Sequence, residues 1–135
     1  MNRIKKRIKE WSENLSLLEG QDRLVYLIDL AKNKTTMDFE KRIKERLVTG
    51  CISQIWVDVM VEDNKVNVEY DSDAMITKGI TSIVADCFTD IPLAEAKQIT
   101  FDDFEKLGIQ QLLTPQRRNG LGNLIETIRQ KVHRL

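Results

Sequence analysis

Cys51 and Cys87 are the only thiols among 135 residues, and His133 is the only histidine. Their scarcity limits the thiol and imidazole chemistry open to the chain. Two thiols exclude a disulfide framework and a metal site built mainly from thiolates. One imidazole excludes a cluster of histidine ligands. Cys87 falls within the apolar series Met75, Ile76, Gly79, Ile80, Ile83, Val84, Cys87 and Phe88, where a free cysteine serves as a small hydrophobe. Cys51 follows Thr49-Gly50, and glycine there allows a turn that other residues resist. A loop can therefore present Cys51, and pattern alone leaves it open between a reactive thiol and a buried one. A cysteine protease needs a histidine base touching the thiol. His133 stands near the C-terminus, where a favourable charge at a helix end is the simpler reading. Cys-x-x-Cys, a phosphate loop, a dinucleotide fingerprint and a metal motif are all absent. Gly120-Leu121-Gly122 lies inside a helical pattern and reads as close packing or local flexibility.

The elements that must position Cys51 follow from periodicity. Ile4, Ile8, Trp11 and Leu15 recur at helical spacing, with Lys and Arg between them. A second helix is expected from about Asp22, with Leu24, Leu27, Ile28 and Ala31 inward. Residues 37–47 fit either a short helix or an ordered loop. From Ile55 the period becomes two: Ile55, Val57, Val59 and Val61 alternate with polar or larger residues, as do Val66, Val68 and Tyr70. Asp63-Asn64 between them predicts a tight β-hairpin. Leu47-Val48-Thr49 is the expected third strand.

After Asp71-Ser72-Asp73, whose side chains suit an N-cap, the helical period returns through Phe88. Thr100 and Asp103 frame a capping box before Phe101, Phe104 and Leu107, and Gly108 closes that turn. Thr114-Pro115 opens a last helix that buries Leu121, Leu124, Ile128 and Val132. Helices, then strands, then helices predict an α+β fold in one domain, residues 1–135.

Composition narrows the function classes further. Lys+Arg and Asp+Glu are both 21, and aromatic residues make up 6%. Such a balance disfavours a general nucleic-acid coat or a base-stacking surface. The basic runs Arg3 to Lys9 and Lys41 to Arg46 lie on amphipathic patterns and read first as solvated faces, second as a docking surface for nucleic acid or protein. Neither a secretory signal nor a membrane span is legible. The expected setting is a reduced cytoplasm.

Three segments converge on a family. Gly50-Cys51-Ile52-Ser53-Gln54-Ile55-Trp56 resembles the cysteine motif of the SufE family of sulfur acceptors. Ser72-Asp73-Ala74-Met75-Ile76-Thr77-Lys78-Gly79-Ile80 is similar to its second motif. Leu113-Thr114-Pro115-Gln116-Arg117-Arg118-Asn119-Gly120-Leu121 is similar to its third. Two departures accompany the match: the stretch before Cys51 is highly charged and lacks the usual proline-bearing connection, and Arg118 replaces a small polar residue.

The resemblance implies a two-layer fold of the SufE/NifU kind, a small antiparallel three-stranded sheet flanked by helices from both chain ends. It implies that Cys51 takes sulfur from the persulfide of a cysteine desulfurase (SufS- or CsdA-like), stimulates that enzyme and passes the sulfur to an iron–sulfur scaffold complex. The chain would carry no cofactor, pyridoxal phosphate belonging to the partner, and would be no enzyme alone. Neither nucleic acid nor membrane is implied. An ordinary thiol, with a pKa near 8.5, is about 3% thiolate at pH 7, enough for such attack without a histidine base. Arg117 and Asp73 match prominent family positions. Arg117 could hold the loop or sulfur anions, or form a helix-start salt bridge; for Asp73 an N-cap is the simpler reading. Ser53 and Gln54 would support the loop, while Trp56 reads as cover for the sheet. A cluster scaffold of related fold is the alternative, and it would need about three cysteine ligands.

Overall fold

A computed structural model describes residues 3–33, 37–50, 53–108 and 115–135, with the side chains of Asn33 and residues 115–117 left aside. Two helices lead, α1 (Arg3–Ser16) and α2 (Gln21–Asn33). Strands β1 (Ile55–Glu62) and β2 (Lys65–Ser72) follow, then α3 (Met75–Phe88) and β3 (Ile91–Pro92). Short helices α4 (Leu93–Ala96) and α5 (Phe101–Glu105) lead to the long α6 (Pro115–His133). The class is α+β, with a three-stranded antiparallel sheet in the order β1-β2-β3.

The hairpin has the expected register. Glu62 pairs with Lys65, Val59 with Val68 and Ile55 with Ser72. Asp63 and Asn64 both adopt positive φ, 52° and 63°, as the tightest two-residue turn between right-twisted strands requires. Ile55, Val57 and Val59 turn inward from β1, and Val66, Val68 and Tyr70 from β2. Helices α3 and α6 cover that face with Ile80, Ile83, Val84, Phe88, Leu124, Ile125 and Ile128.

The third strand departs from expectation. Leu47 makes only an isolated bridge to Trp56, and the sheet is completed at its other edge by Ile91 and Pro92 beside Val66 and Lys65. Chemistry explains the exchange. Residues 39–41 and 44–46 wind into two 3₁₀ turns, and Gly50 turns the chain away at φ +78°. Ile91 is fully buried; Asp90, at φ +60°, reverses the chain after α3 and delivers it to β2.

The cap of α3 also departs from expectation. Its N-cap is Ala74, with no side-chain cap of its own, while Ser72 Oγ accepts from Ala74 N–H. Asp73 faces the opposite way, toward Gln54. Elsewhere the punctuation is as expected: Thr100 and Asp103 form a capping box, Gly108 has φ +73°, and Pro115 opens α6. Thr114 lies outside the described residues.

Candidate functional site

Gly50, Ser53 and Gln54, which flank Cys51, each meet polar groups from later parts of the chain; Cys51 itself lies outside the described residues. The neck of this loop is closed by Val48 N–H donating to Ile55 O at 2.7 Å, beside the Leu47–Trp56 bridge. On the entry side, Gly50 O accepts from Asn123 Nδ2 of α6 at 3.1 Å. On the exit side Gln54 is fixed through both its peptide groups. Its N–H donates to Asp73 Oδ1 at 3.0 Å. Its carbonyl accepts from Ser72 Oγ at 2.7 Å and from Asp73 N–H at 3.2 Å. Thr77 Oγ1 comes within 3.5 Å of Ser53 Oγ.

The structure therefore brings Ser53, Gln54 and Asp73 together where β1 starts and α3 begins. Asp73 acts there as a clamp on the Gln54 peptide. The Arg117 side chain lies outside the described residues; its backbone sits in α6, about 9 Å before Asn123 along the helix at 1.5 Å per residue.

Upstream of the neck, Lys41, Arg42 and Arg46 of the charged run that was a candidate docking surface pair with carboxylates of the sheet. Lys41 meets Glu69 at 3.5 Å and Arg46 meets Asp58 at 3.2 Å. Arg42 pairs with Asp71, a carboxylate only 1% exposed, whose other oxygen faces Lys78 at 3.5 Å. The Arg42 guanidinium also lies 5.7 Å from the ring centroids of Phe39 and Trp56. Trp56 alternates with the inward Ile55 and Val57, so it occupies the outer face of the sheet, under Arg42. The other basic run is partly used in the same way. Arg7 donates to the carbonyls of Asp86 and Thr89, neutralising the negative end of α3.

Cys87 is fully buried in α3. Burial, with a smaller contribution from Asp86, pushes its thiol from near 9 up to about 12. It is thus protonated and out of reach at neutral pH, as its place in the apolar series predicts. With Cys87 so placed, Cys51 is the remaining thiol of the chain, and a scaffold holding a cluster on about three cysteines does not fit. Among the described residues no group of three or more His, Cys, Asp or Glu side chains could hold a metal ion. Among them, too, no helix is long and apolar enough to cross a membrane.

Residues 9–132 match the family described as "SufE: Fe-S metabolism associated domain". The chain belongs to the SufE family. Among SufE-like relatives, it is 35% identical over 117 residues to "SufE-like protein 1, chloroplastic/mitochondrial" of Arabidopsis thaliana. That match covers 86% of this chain but only 32% of the plant protein, so the chain spans about a third of that relative's length. An uncharacterised SufE-like protein of Rhizobium etli is 34% identical over 118 residues, covering 84% of this chain and 80% of the relative. The fold also matches the solution structure of a hypothetical protein from Thermus thermophilus. The TM-score is 0.79 at 18% identity, with 99% of this chain and 97% of that one covered. Membership of the SufE family ties the chain to Fe–S metabolism.

Asn123, Ser72, Thr77 and Arg42 escape sequence reasoning as members of this region. Ser72 and Thr77 lie inside a quoted motif and could have been noticed as hydroxyls near Asp73. Asn123 stands 73 residues from Gly50, and no local pattern links them.

Proposed function

We propose that this SufE family chain is a sulfur acceptor and carrier in Fe–S metabolism. The Cys51 thiolate attacks the outer sulfur of a persulfide on a pyridoxal-phosphate cysteine desulfurase. The bond between the donor's two sulfurs breaks, the donor cysteine leaves as a thiolate, and Cys51 becomes the persulfide. One S–S bond is exchanged for another, so no external oxidant or reductant enters. Removal of the persulfide frees the desulfurase for its next turnover; the sulfur then passes from Cys51 to an iron–sulfur scaffold complex. The chain acts as one domain, as a partner to the enzyme, and the cytoplasm is its proposed setting.

The observation that carries this reading is the contrast between the two thiols. Cys87 is sealed in the core with its thiol held protonated. The flanks of Cys51 are instead clamped by Asn123, Ser72 and Asp73, from the segments that bear, or directly follow, the other two family motifs. Acceptance needs one positioned thiolate and no base, so the lack of a nearby histidine is no obstacle.

The test is intact mass after incubation with a cysteine desulfurase, pyridoxal phosphate and cysteine, without reductant. Wild type and Cys87→Ser gain one sulfur atom that a reductant removes, and Cys51→Ser gains none. Failure of wild type to gain sulfur from the cysteine desulfurase overturns the proposal.

A further inference from the structure

Among the described residues, Asn123 reaches the loop through one closely fitted hydrogen bond to Gly50. It stands exposed on α6 between buried Leu121 and Leu124. Its own carbonyl receives Thr127 Oγ1 at 2.7 Å, an ordinary bond back along a helix. Its side-chain amide leaves the helix altogether and donates to Gly50 O at 3.1 Å.

Gly50 is shaped to that contact in two ways. At φ +78° it occupies the left-handed region, which side chains resist. An ideal Cβ built there would stand 2.3 Å from Asn123 Nδ2. Glycine therefore supplies both the conformation and the room for the amide to reach the carbonyl. That carbonyl belongs to the peptide joining Gly50 to residue 51, and because a peptide is planar, holding its oxygen holds its plane. The exit side has an equivalent restraint in the paired Gln54–Asp73 bonds.

We propose that Asn123 is a positioning residue for the Cys51 thiol, restraining the peptide that leads into it and thereby setting how readily the thiol reacts. This rests on Cys51 being the sulfur acceptor. An amide suits the role because it donates to the carbonyl. An aspartate at the same place would set a carboxylate against that oxygen, and an alanine would leave it to water.

The experiment follows iodoacetamide modification of Cys51 by peptide mass mapping in the full chain, from pH 6 to pH 10. Wild type, Asn123→Ala and Asn123→Asp are compared, with thermal midpoints measured alongside. At the high-pH plateau, where the thiol is fully ionised, Asn123→Ala reacts about fivefold faster, the size one net hydrogen bond allows. Asn123→Asp is faster still and displaces the midpoint of the pH profile upward, since a negative charge introduced beside Gly50, the residue preceding Cys51, opposes thiolate formation. The thermal midpoint of Asn123→Ala moves by less than about 4 °C. A merely structural role would shift thermal midpoints and leave the native pH profile in place. Rates and profiles in both variants that match wild type overturn the assignment of Asn123. Sulfur uptake by wild type is measured separately with the desulfurase. Uptake with unshifted alkylation removes Asn123 and keeps the acceptor; altered alkylation without uptake removes the acceptor and keeps Asn123 as the residue positioning that thiol.

Discussion

Two glycines let parts of the chain approach closely, and they do so against different obstacles. At Gly79 of α3, an ideal Cβ would lie 2.1 Å from the Leu27 carbonyl oxygen of α2. At Gly50 it would meet the end of the Asn123 side chain, which can swing aside. The first contact is backbone against backbone inside the apolar core; the second is one polar bond at an exposed loop. The core is held by many contacts that cannot be rearranged singly, and the loop by bonds that can each be broken alone. The proposed encounter of this loop with a desulfurase would call for the second kind of support, while the packed helix layer uses the first.

The comparison predicts its largest effect at Gly79. Gly79→Ala forces α2 and α3 apart and lowers stability by about 3 kcal/mol, the upper range for overpacking a core. The urea midpoint measures it. A loss smaller than that of any loop variant would break the contrast between the two regions.

Next comes the buried carboxylate that ties the charged segment to the sheet. Asp71→Ala strands Arg42 and Lys78, whose side chains are 29% and 16% exposed. Breaking a fully buried pair costs about 3–5 kcal/mol, and their partial contact with water brings this case nearer about 2 kcal/mol. Limited proteolysis should then cut between residues 37 and 48 before any site in α3 or α6. Equal cutting in both places would show that the segment is not pinned through Asp71.

The third prediction concerns pH. Cys87 is held protonated in the folded chain up to about pH 12, whereas in the unfolded chain it ionises near 9. A raised folded pKa gives stability that is complete below the unfolded value and lost as pH rises toward the folded one. Between about pH 9 and 12 this thiol alone removes about 1.4 kcal/mol of stability per pH unit. Burial raises the Tyr70 hydroxyl as well, adding to the alkaline loss. Chemical denaturation across that range measures the slope, and Cys87→Ala reduces it. Iodoacetamide at pH 8 should label Cys87 only when denaturant is present.

What was legible in the sequence divides along the same line. The hairpin, the helix faces and the core role of Cys87 follow from apolar periodicity, because burial acts on every second or every third to fourth residue and leaves a repeating trace. The pairing of Ile91 with Val66 left none, since two residues are too few to show a period. Leu47-Val48-Thr49 looked like a strand on local composition, but Gly50 and the turns before it take that segment off the sheet edge. Contacts such as Asn123 with Gly50, or Arg42 with Asp71, join single polar residues far apart, and such links have no local signature. Resemblance alone singled out Ser53, Gln54 and Asp73, and the fold places the three side by side. The pairing of Asp73 with Gln54 rather than with α3 emerged only from the fold.

The smallest effect isolates that last pairing. Asp73 Oδ1 accepts from the Gln54 N–H at an exposed position, so water replaces the carboxylate when it is removed. Asp73→Ala should therefore lower stability by less than about 1 kcal/mol, while Asp73→Asn, whose side-chain oxygen can still accept, restores most of it. The reactivity of Cys51 should follow the same order, with Asp73→Ala altering its alkylation rate and Asp73→Asn close to wild type. The carboxylate charge is not what the clamp requires, because its partner is a neutral peptide N–H. Should Asp73→Asn behave like Asp73→Ala, the charge itself would be the working part. Asp73 would then belong with the groups that act on the sulfur rather than with those that hold the loop.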